Sequence, residues 1–461
     1  MSLNEKDSIT PADSSDVELG QSKDVGEEFE IFGQGDGDVN FRTVEWVHAS
    51  MIFLKIIFAT GVLSIPSVMY DYGAVPGSIL LVSWTGLNGY TAIIQGNFRN
   101  QHPGCHSIGD MAQILGGVPL RELAGLLFVA SNVVCAASGI IGISAALNAL
   151  SVHAACTVWW SLIATVAVFF LASVRKFSHI SWLTWVGFLT IFVAVLIVVI
   201  GVTLNDRPAA APAGPYELGF RIVGNPAFIP GISASLNMFV SSAATSAFLP
   251  VISEMKKPKD YNKAVFLCMG FVTAAYLAFT MVLYYWCGQW IASPSLGSAG
   301  PTVKKIAYGV GLPGLLISGC LYVHVASKYL FVRILRNSVH LQRNSFVHWG
   351  TWLSCTASLS IVAFILASAI PIFNYILALV GSLCFAPLAI SLPGLLWLYD
   401  HGHKRRGIYN ITMYGIHVFM VVLGLFMTVS GTYSVISQIQ EAYAGGQIDS
   451  AFSCADNSGT V

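Results

Sequence analysis

The sequence predicts an all-α polytopic membrane protein with about eleven transmembrane helices. Three observations carry that reading. The 461 residues are 55% hydrophobic and only 10% charged, whereas a soluble chain needs about 25% charged residues to cover its water-facing surface. Apolar runs of about 20 residues, the length that crosses a bilayer, recur along most of the chain. The basic residues then fall on alternate connections between those runs.

The runs lie near 45–70, 74–97, 120–150, 155–174, 180–204, 227–253, 263–291, 303–334, 347–368, 370–398 and 409–437. Short polar separators divide them, among them Arg175-Lys176 and Lys256-Lys257-Pro258-Lys259. Between 98 and 119, His102-Pro103-Gly104 and weaker hydrophobicity predict a short interfacial helix. Even-numbered connections hold fourteen Lys and Arg residues, and odd-numbered ones hold Arg207, Arg221, Lys304 and Lys305. Basic residues gather on the cytoplasmic side, so the N-terminus is expected inside and the C-terminus outside. Residues 1–43, with eleven acids in the first forty, read as a disordered acidic cytoplasmic tail. Residues 44–438 form the membrane domain and 439–461 a short extracytoplasmic tail.

Acidic and basic residues cancel at 23 each, so charge gives no support to a nucleic-acid partner. Nine scattered cysteines without a CxxC pair point to neither a metal site nor a disulfide framework; inside apolar runs a cysteine is a small hydrophobe. No cofactor is expected. An enzyme would need clustered His, Asp or Glu near the membrane, and a channel would need a polar stripe or charged ring. The acids are few and dispersed.

Two spans read as broken. The first contains Thr60-Gly61-Val62-Leu63-Ser64-Ile65-Pro66, and the sixth contains Ser241-Ser242-Ala243-Ala244-Thr245-Ser246 followed by Pro250. Irregular backbone survives in a membrane only where it lines a protein cavity. Either sequence alone also suits close helix packing. Span six starts an odd number of spans after span one, so it enters the membrane inverted. Broken helices at matching positions of inverted halves point to the substrate site of a secondary transporter. The N–H groups of Val62 and Leu63 would face a carboxylate, and carbonyls near Phe58, Ala59, Ser241 and Ser242 an ammonium. A zwitterion needs no ionised side chain there, which fits a neutral amino acid. The substrate-binding residues expected are Thr60, Gly61, Val62, Leu63, Ser241, Ser242 and Thr245.

The TGVLSIP stretch 60–66, Gly73 with Val75-Pro76-Gly77, and Glu254-Met255-Lys256-Lys257-Pro258 with Tyr261 resemble the amino acid/auxin permease family, within the amino acid–polyamine–organocation superfamily. Over 44–438 the chain looks most like that family's fungal neutral amino acid permeases. The resemblance implies a 5+5 inverted-repeat core plus one extra helix, alternating access, and amino acid uptake coupled to protons or sodium. Sodium-coupled relatives carry an asparagine ligand where Lys55 aligns, and a hydroxyl ligand near His324. A fixed ammonium at Lys55 speaks against sodium, leaving Lys55 and His324 as the ion-coupling residues expected, with protons and membrane lipid as partners. The plasma membrane is expected rather than the vacuole. An amino acid sensor on a transporter fold and a vacuolar exporter are the alternatives.

Among single residues, Tyr284-Tyr285-Trp286 reads as an aromatic belt, Glu254 as a partner of the basic loop or a helix cap, and Asn132 and Asn237 as interhelical hydrogen-bonders.

Overall fold

The computed structural model describes residues 44–459 except 103, 106, 175–176, 337, 342–344, 404–405 and 447–449. The acidic tail expected at 1–43 and the separator Arg175-Lys176 lie outside the described residues.

The apolar runs are helical, because backbone in hydrocarbon can satisfy its polar groups only internally. In chain order they are α1 (Trp46–Ile57), α2 (Ile65–Tyr72), α3 (Ala74–Gln101), α4 (Ile108–Ser151), α5 (Thr157–Ala172), α6 (Phe177–Thr203) and α7 (Phe228–Val240). There follow α8 (Leu249–Glu254), α9 (Tyr261–Cys287), α10 (Pro301–Leu335), α11 (Phe346–Ala369), α12 (Phe373–Val380), α13 (Leu392–His401) and α14 (Ile408–Ala444). Among the described residues, eight helical stretches are long and apolar enough to cross a membrane. The other three expected spans are the interrupted 46–72, the α3 helix diluted by Asn88, Gln95 and Arg99, and the 16-residue α5.

The short helix expected between 98 and 119 is the first two turns of α4. Ser107 caps it: its hydroxyl accepts the Asp110 N–H at 3.3 Å, and the Asp110 carboxylate accepts the Ser107 N–H at 3.0 Å, a reciprocal capping box. Gly116 and Gly117 (φ +67°) then break the helix before the long span begins.

Both suspected spans are interrupted, and in the same way. The first stops at Phe58, turns through a 3₁₀ segment at Gly61–Leu63, and resumes as α2 with Pro66 in its first turn. The second stops at Ser241, turns through Ala244–Phe248, and resumes as α8 with Pro250 in its first turn. A proline there is tolerated because the first N–H groups of a helix have no internal partner. A third irregularity went unforeseen. Between α12 and α13 the backbone widens to π-type turns over Gly381–Ser391, around Pro387.

Hydrogen bonds close the two ends. At one end Val44 donates to the Glu254 carbonyl at 3.0 Å and Lys256 to the Val44 carbonyl at 2.8 Å, joining the start of α1 to the end of α8. At the other, Ala74 and Val75 donate to the carbonyls of Arg221 and Ile222, and Gly224 to that of Tyr72.

Several expectations are corrected. Cys156 and Cys454, 298 residues apart, form a disulfide; only the fold brings two such isolated cysteines together. The other seven are free and buried. In the proposed aromatic belt, Tyr284 is fully buried and holds the Arg221 N–H at 3.0 Å, while Tyr285 and Trp286 are exposed. Asn132 and Asn237 donate to carbonyls of their own helices, at Phe128 and Ser233, rather than across to neighbours.

Candidate functional site

The two interruptions touch. A Cβ on Gly61 would stand 2.7 Å from the Ser241 Cα, inside any permissible contact. Glycine is therefore required by close backbone approach, and the position brings together breaks that lie 180 residues apart. The space between them is lined by Ile56, Thr60, Gly61, Ser241, Tyr322 and Phe385, among others, and has a volume of about 10 Å³. That is room for about one water, so the conformation is closed around its centre. The described lining residues carry no ionised side chain.

Of the expected substrate-binding residues, Thr60, Gly61 and Ser241 line this space, while Val62, Leu63, Ser242 and Thr245 are buried beside it. Thr60 Oγ1 lies 3.2 Å from Ser138 Oγ on α4. The Leu63 N–H, expected to face a carboxylate, donates to the Thr60 carbonyl at 3.1 Å; the 3₁₀ turn uses the donor that an abrupt break would leave open. Ser241 Oγ donates to the Met238 carbonyl at 2.6 Å, and Ser242 Oγ accepts from Asn88 Nδ2 at 2.8 Å. The Thr245 hydroxyl is buried with no protein hydrogen-bond partner.

Three participants escaped sequence reading. The Tyr276 hydroxyl of α9 lies 3.0 Å from the Ile57 carbonyl and 3.1 Å from the Ser241 carbonyl, so one proton is shared between the ends of both broken helices. Asn88 of α3 donates to the Phe239 carbonyl at 3.1 Å as well as to Ser242. Phe385 reaches the lining from the π-type segment, a geometry frequent at functional sites. A polar group in the middle of an apolar run was the only available signal for Tyr276 and Asn88, and Asn132 shows that this signal also marks side chains bonded to their own helix.

Lys55 is fully buried, 1% exposed, at the last turn of α1. Its Nζ donates to Ser318 Oγ at 2.8 Å and lies 3.5 Å from the Gly314 carbonyl, both on α10. Gly187 of α6 makes the room: a Cβ there would stand 2.8 Å from Lys55 Cε. The Lys55 amine thus sits among oxygens of α10 beside the first break.

His324 is not part of this cluster. Six residues beyond Ser318, about 9 Å along the helix at 1.5 Å per residue, it turns toward α5 and α11. Its Nδ1 lies 3.2 Å from the Ala172 carbonyl and its ring meets Trp352 edge-on at 5.2 Å. The α10 hydroxyl facing Lys55 belongs to Ser318.

A larger cavity, about 180 Å³, lies apart from the breaks between α3 and α13, against Tyr90, Asn97, Trp397, Asp400 and His401.

Two inverted broken helices meeting at a polar, uncharged centre define a secondary transporter of the inverted-repeat type. Solved structures share the fold. The closed conformation of Mhp1, a nucleobase–cation symporter with bromovinylhydantoin bound, covers 91% of this chain and 97% of its own, with a TM-score of 0.52 at 13% identity. MhsT in complex with L-phenylalanine covers 84% and 98%, with a TM-score of 0.50 at 13% identity. The profile of the transmembrane amino acid transporter protein family matches residues 42–437, and the chain belongs to that family, the amino acid/auxin permeases. A "transmembrane transporter" of Gibberella moniliformis is 47% identical, over 98% of this chain and 94% of its own. The "N amino acid transport system protein" of Neurospora crassa is 25% identical, over 91% and 90%. The chain is a multi-pass integral membrane amino acid transporter, not an enzyme.

Proposed function

We propose that the protein takes up neutral amino acids by alternating access, driven by protons and without sodium. One observation carries the coupling: the Lys55 ammonium bonded to Ser318 Oγ between α1 and α10. An ammonium in that position takes the place of sodium, and its proton is one that the site can release and regain. Neutral selectivity is supported by the uncharged lining around Gly61 and Ser241. A second positive charge on a cationic substrate would be buried without a counter-ion, at a cost of several kcal/mol. Thr60, Gly61, Val62 and Leu63 would hold the carboxylate end, and Ser241, Ser242 and Thr245 the ammonium end. The neighbour with bound L-phenylalanine and the Neurospora relative support an amino acid as the ligand.

Of the two ion-coupling candidates, this reading assigns the coupling to Lys55; the contacts of His324 with Ala172 and Trp352 support leaving it outside the coupling step. The fourteen-to-four basic asymmetry favours a cytoplasmic N-terminus, and the plasma membrane is kept as the membrane of this reading. The Cys156–Cys454 disulfide favours the same orientation, since such bonds persist on the non-cytosolic side of a membrane.

The test is uptake of a radiolabelled neutral amino acid into vesicles, with sodium replaced by choline and external pH varied. Uptake should be indifferent to the replacement and rise as external pH falls. A steep sodium requirement would overturn the Lys55 reading, and equal competition by lysine and arginine would overturn neutral selectivity. Saturable binding without flux would make the protein a sensor.

A further inference from the structure

The C-terminal segment 450–459 lies against four helices in succession, and each attachment is specific. Phe452 N–H donates to the Ser368 carbonyl at the end of α11 at 2.9 Å, and its ring meets Phe364. Cys454 is bonded to Cys156, immediately before α5, and Thr157 Oγ1 donates to the Ala455 carbonyl at 2.6 Å. The Asn457 side chain joins α4 at two levels: its Oδ1 accepts from Asn148 Nδ2 and its Nδ2 donates to Ser144 Oγ, both at 2.9 Å. Lys304, buried at the start of α10, donates to the carbonyls of Ser458 and Gly459, both at 2.9 Å.

Those four helices, α4, α5, α10 and α11, all pack on one another. None of them is broken at the site, and α4 and α10 supply the groups that the first interruption leans on, Ser138 and Ser318. The Asn457 bond to Ser144 lies six residues, about 9 Å of helix, from Ser138. Cys135, which lines the central space, is about 13 Å of helix from Ser144. Ordering about ten residues costs roughly 1–2 kcal/mol each in backbone entropy alone, and only a set of fixed attachments offsets that.

We propose that residues 450–459 form a covalently tied clamp across one end of the molecule. It binds α4, α5, α10 and α11 into the rigid framework against which the interrupted helices move. The clamp rests on the transporter reading for its purpose, but not for its test. Cys135 is the native reporter: in a closed framework it is shielded, and loosening the α4–α10 gap at the clamped end should expose it.

The experiment measures modification by a membrane-impermeant, charged methanethiosulfonate added outside intact cells, with Cys135→Ala as the blank. Two variants release the clamp independently: the double substitution Cys156→Ser with Cys454→Ser, which leaves no new thiol, and Asn457→Ala, which keeps the disulfide. Each should raise the Cys135-dependent labelling rate at least about fivefold and lower maximal uptake more than it raises KM. If the double variant does not reach the surface, Asn457→Ala alone decides. Labelling and uptake at wild-type rates in a variant at the surface would overturn the clamp, as would Cys156 and Cys454 recovered as free thiols from wild-type cells. Labelling needs no substrate, so a chain that labels as expected but transports nothing would refute the transport reading and keep the clamp.

Discussion

The two interrupted helices share a composition and one partner, Tyr276, but their other partners differ. At the first, the break is a single 3₁₀ turn, Gly61–Leu63, flanked by Lys55 bonded to α10 and by Thr60 beside α4. At the second, Ala244–Phe248 is longer, and its neighbourhood is tied to α3 and α9 through Asn88 and Tyr276. Apart from the shared Tyr276, the first break leans on α4 and α10, and the second on α3. Interrupted helices matched in sequence thus have unequal surroundings: a buried lysine stands on one side of the centre, and neutral hydrogen bonding on the other.

The strongest way to break the comparison is to remove the point where the halves meet. Gly61→Ala places a methyl 2.7 Å from the Ser241 Cα, so the backbones must part. Uptake should fall at least about a hundredfold with surface expression retained, as measured by flux and surface biotinylation. Unchanged substrate affinity would detach Gly61 from the site.

Lys55→Met comes next, because it acts on the first break only. The ammonium bond to Ser318 disappears, and uptake should fall about tenfold or more and lose its rise at low external pH. His324→Gln should keep that pH dependence and change uptake less than about threefold, because its neighbours are the Ala172 carbonyl and Trp352. Flux against pH in both variants makes the distinction. The reverse pattern would move coupling from Lys55 to His324.

Tyr276→Phe sharpens the comparison by touching both breaks equally. Two buried carbonyls lose one shared donor, whose hydrogen bond contributes about 0.5–1.5 kcal/mol net, and about 1.4 kcal/mol corresponds to tenfold. The expected outcome is a three- to tenfold rise in KM with sodium independence intact. Asn88→Ala, which acts on the second break only, should raise KM without altering the pH profile.

The smallest effect belongs to the exposed Lys256–Glu45 pair, 2.9 Å apart, where α1 begins. The hydrogen bond from Lys256, and then its charge, holds the Glu45 carboxyl below its ordinary value. The pair is complete above that value and is lost only as pH falls through the lowered one. Acidifying the medium on that face to about pH 6, well above a carboxylate's ordinary 4.3 or so, should leave it intact. Glu45→Gln should change uptake less than twofold, since exposed ion pairs contribute little and the backbone bonds of Val44 remain.

Sequence by itself determined the fold class, most of the spans and the two breaks that meet at the centre, but not the π-type segment at Gly381–Ser391. Hydrophobic length, glycine and proline act locally, and a bilayer leaves backbone few options. It also singled out Lys55, because a charge inside an apolar run has no bland neighbours to hide among. Tertiary structure alone decided the partners. Ser318 rather than His324 faces Lys55 because six residues on a helix turn a side chain to another face. Tyr276 and Asn88 enter the site from α9 and α3 at separations no local pattern records. Cys156 finds Cys454 only once α4, α5, α10 and α11 are assembled. Local chemistry fixes where a chain must bend, but which groups then meet depends on contacts between residues hundreds of positions apart.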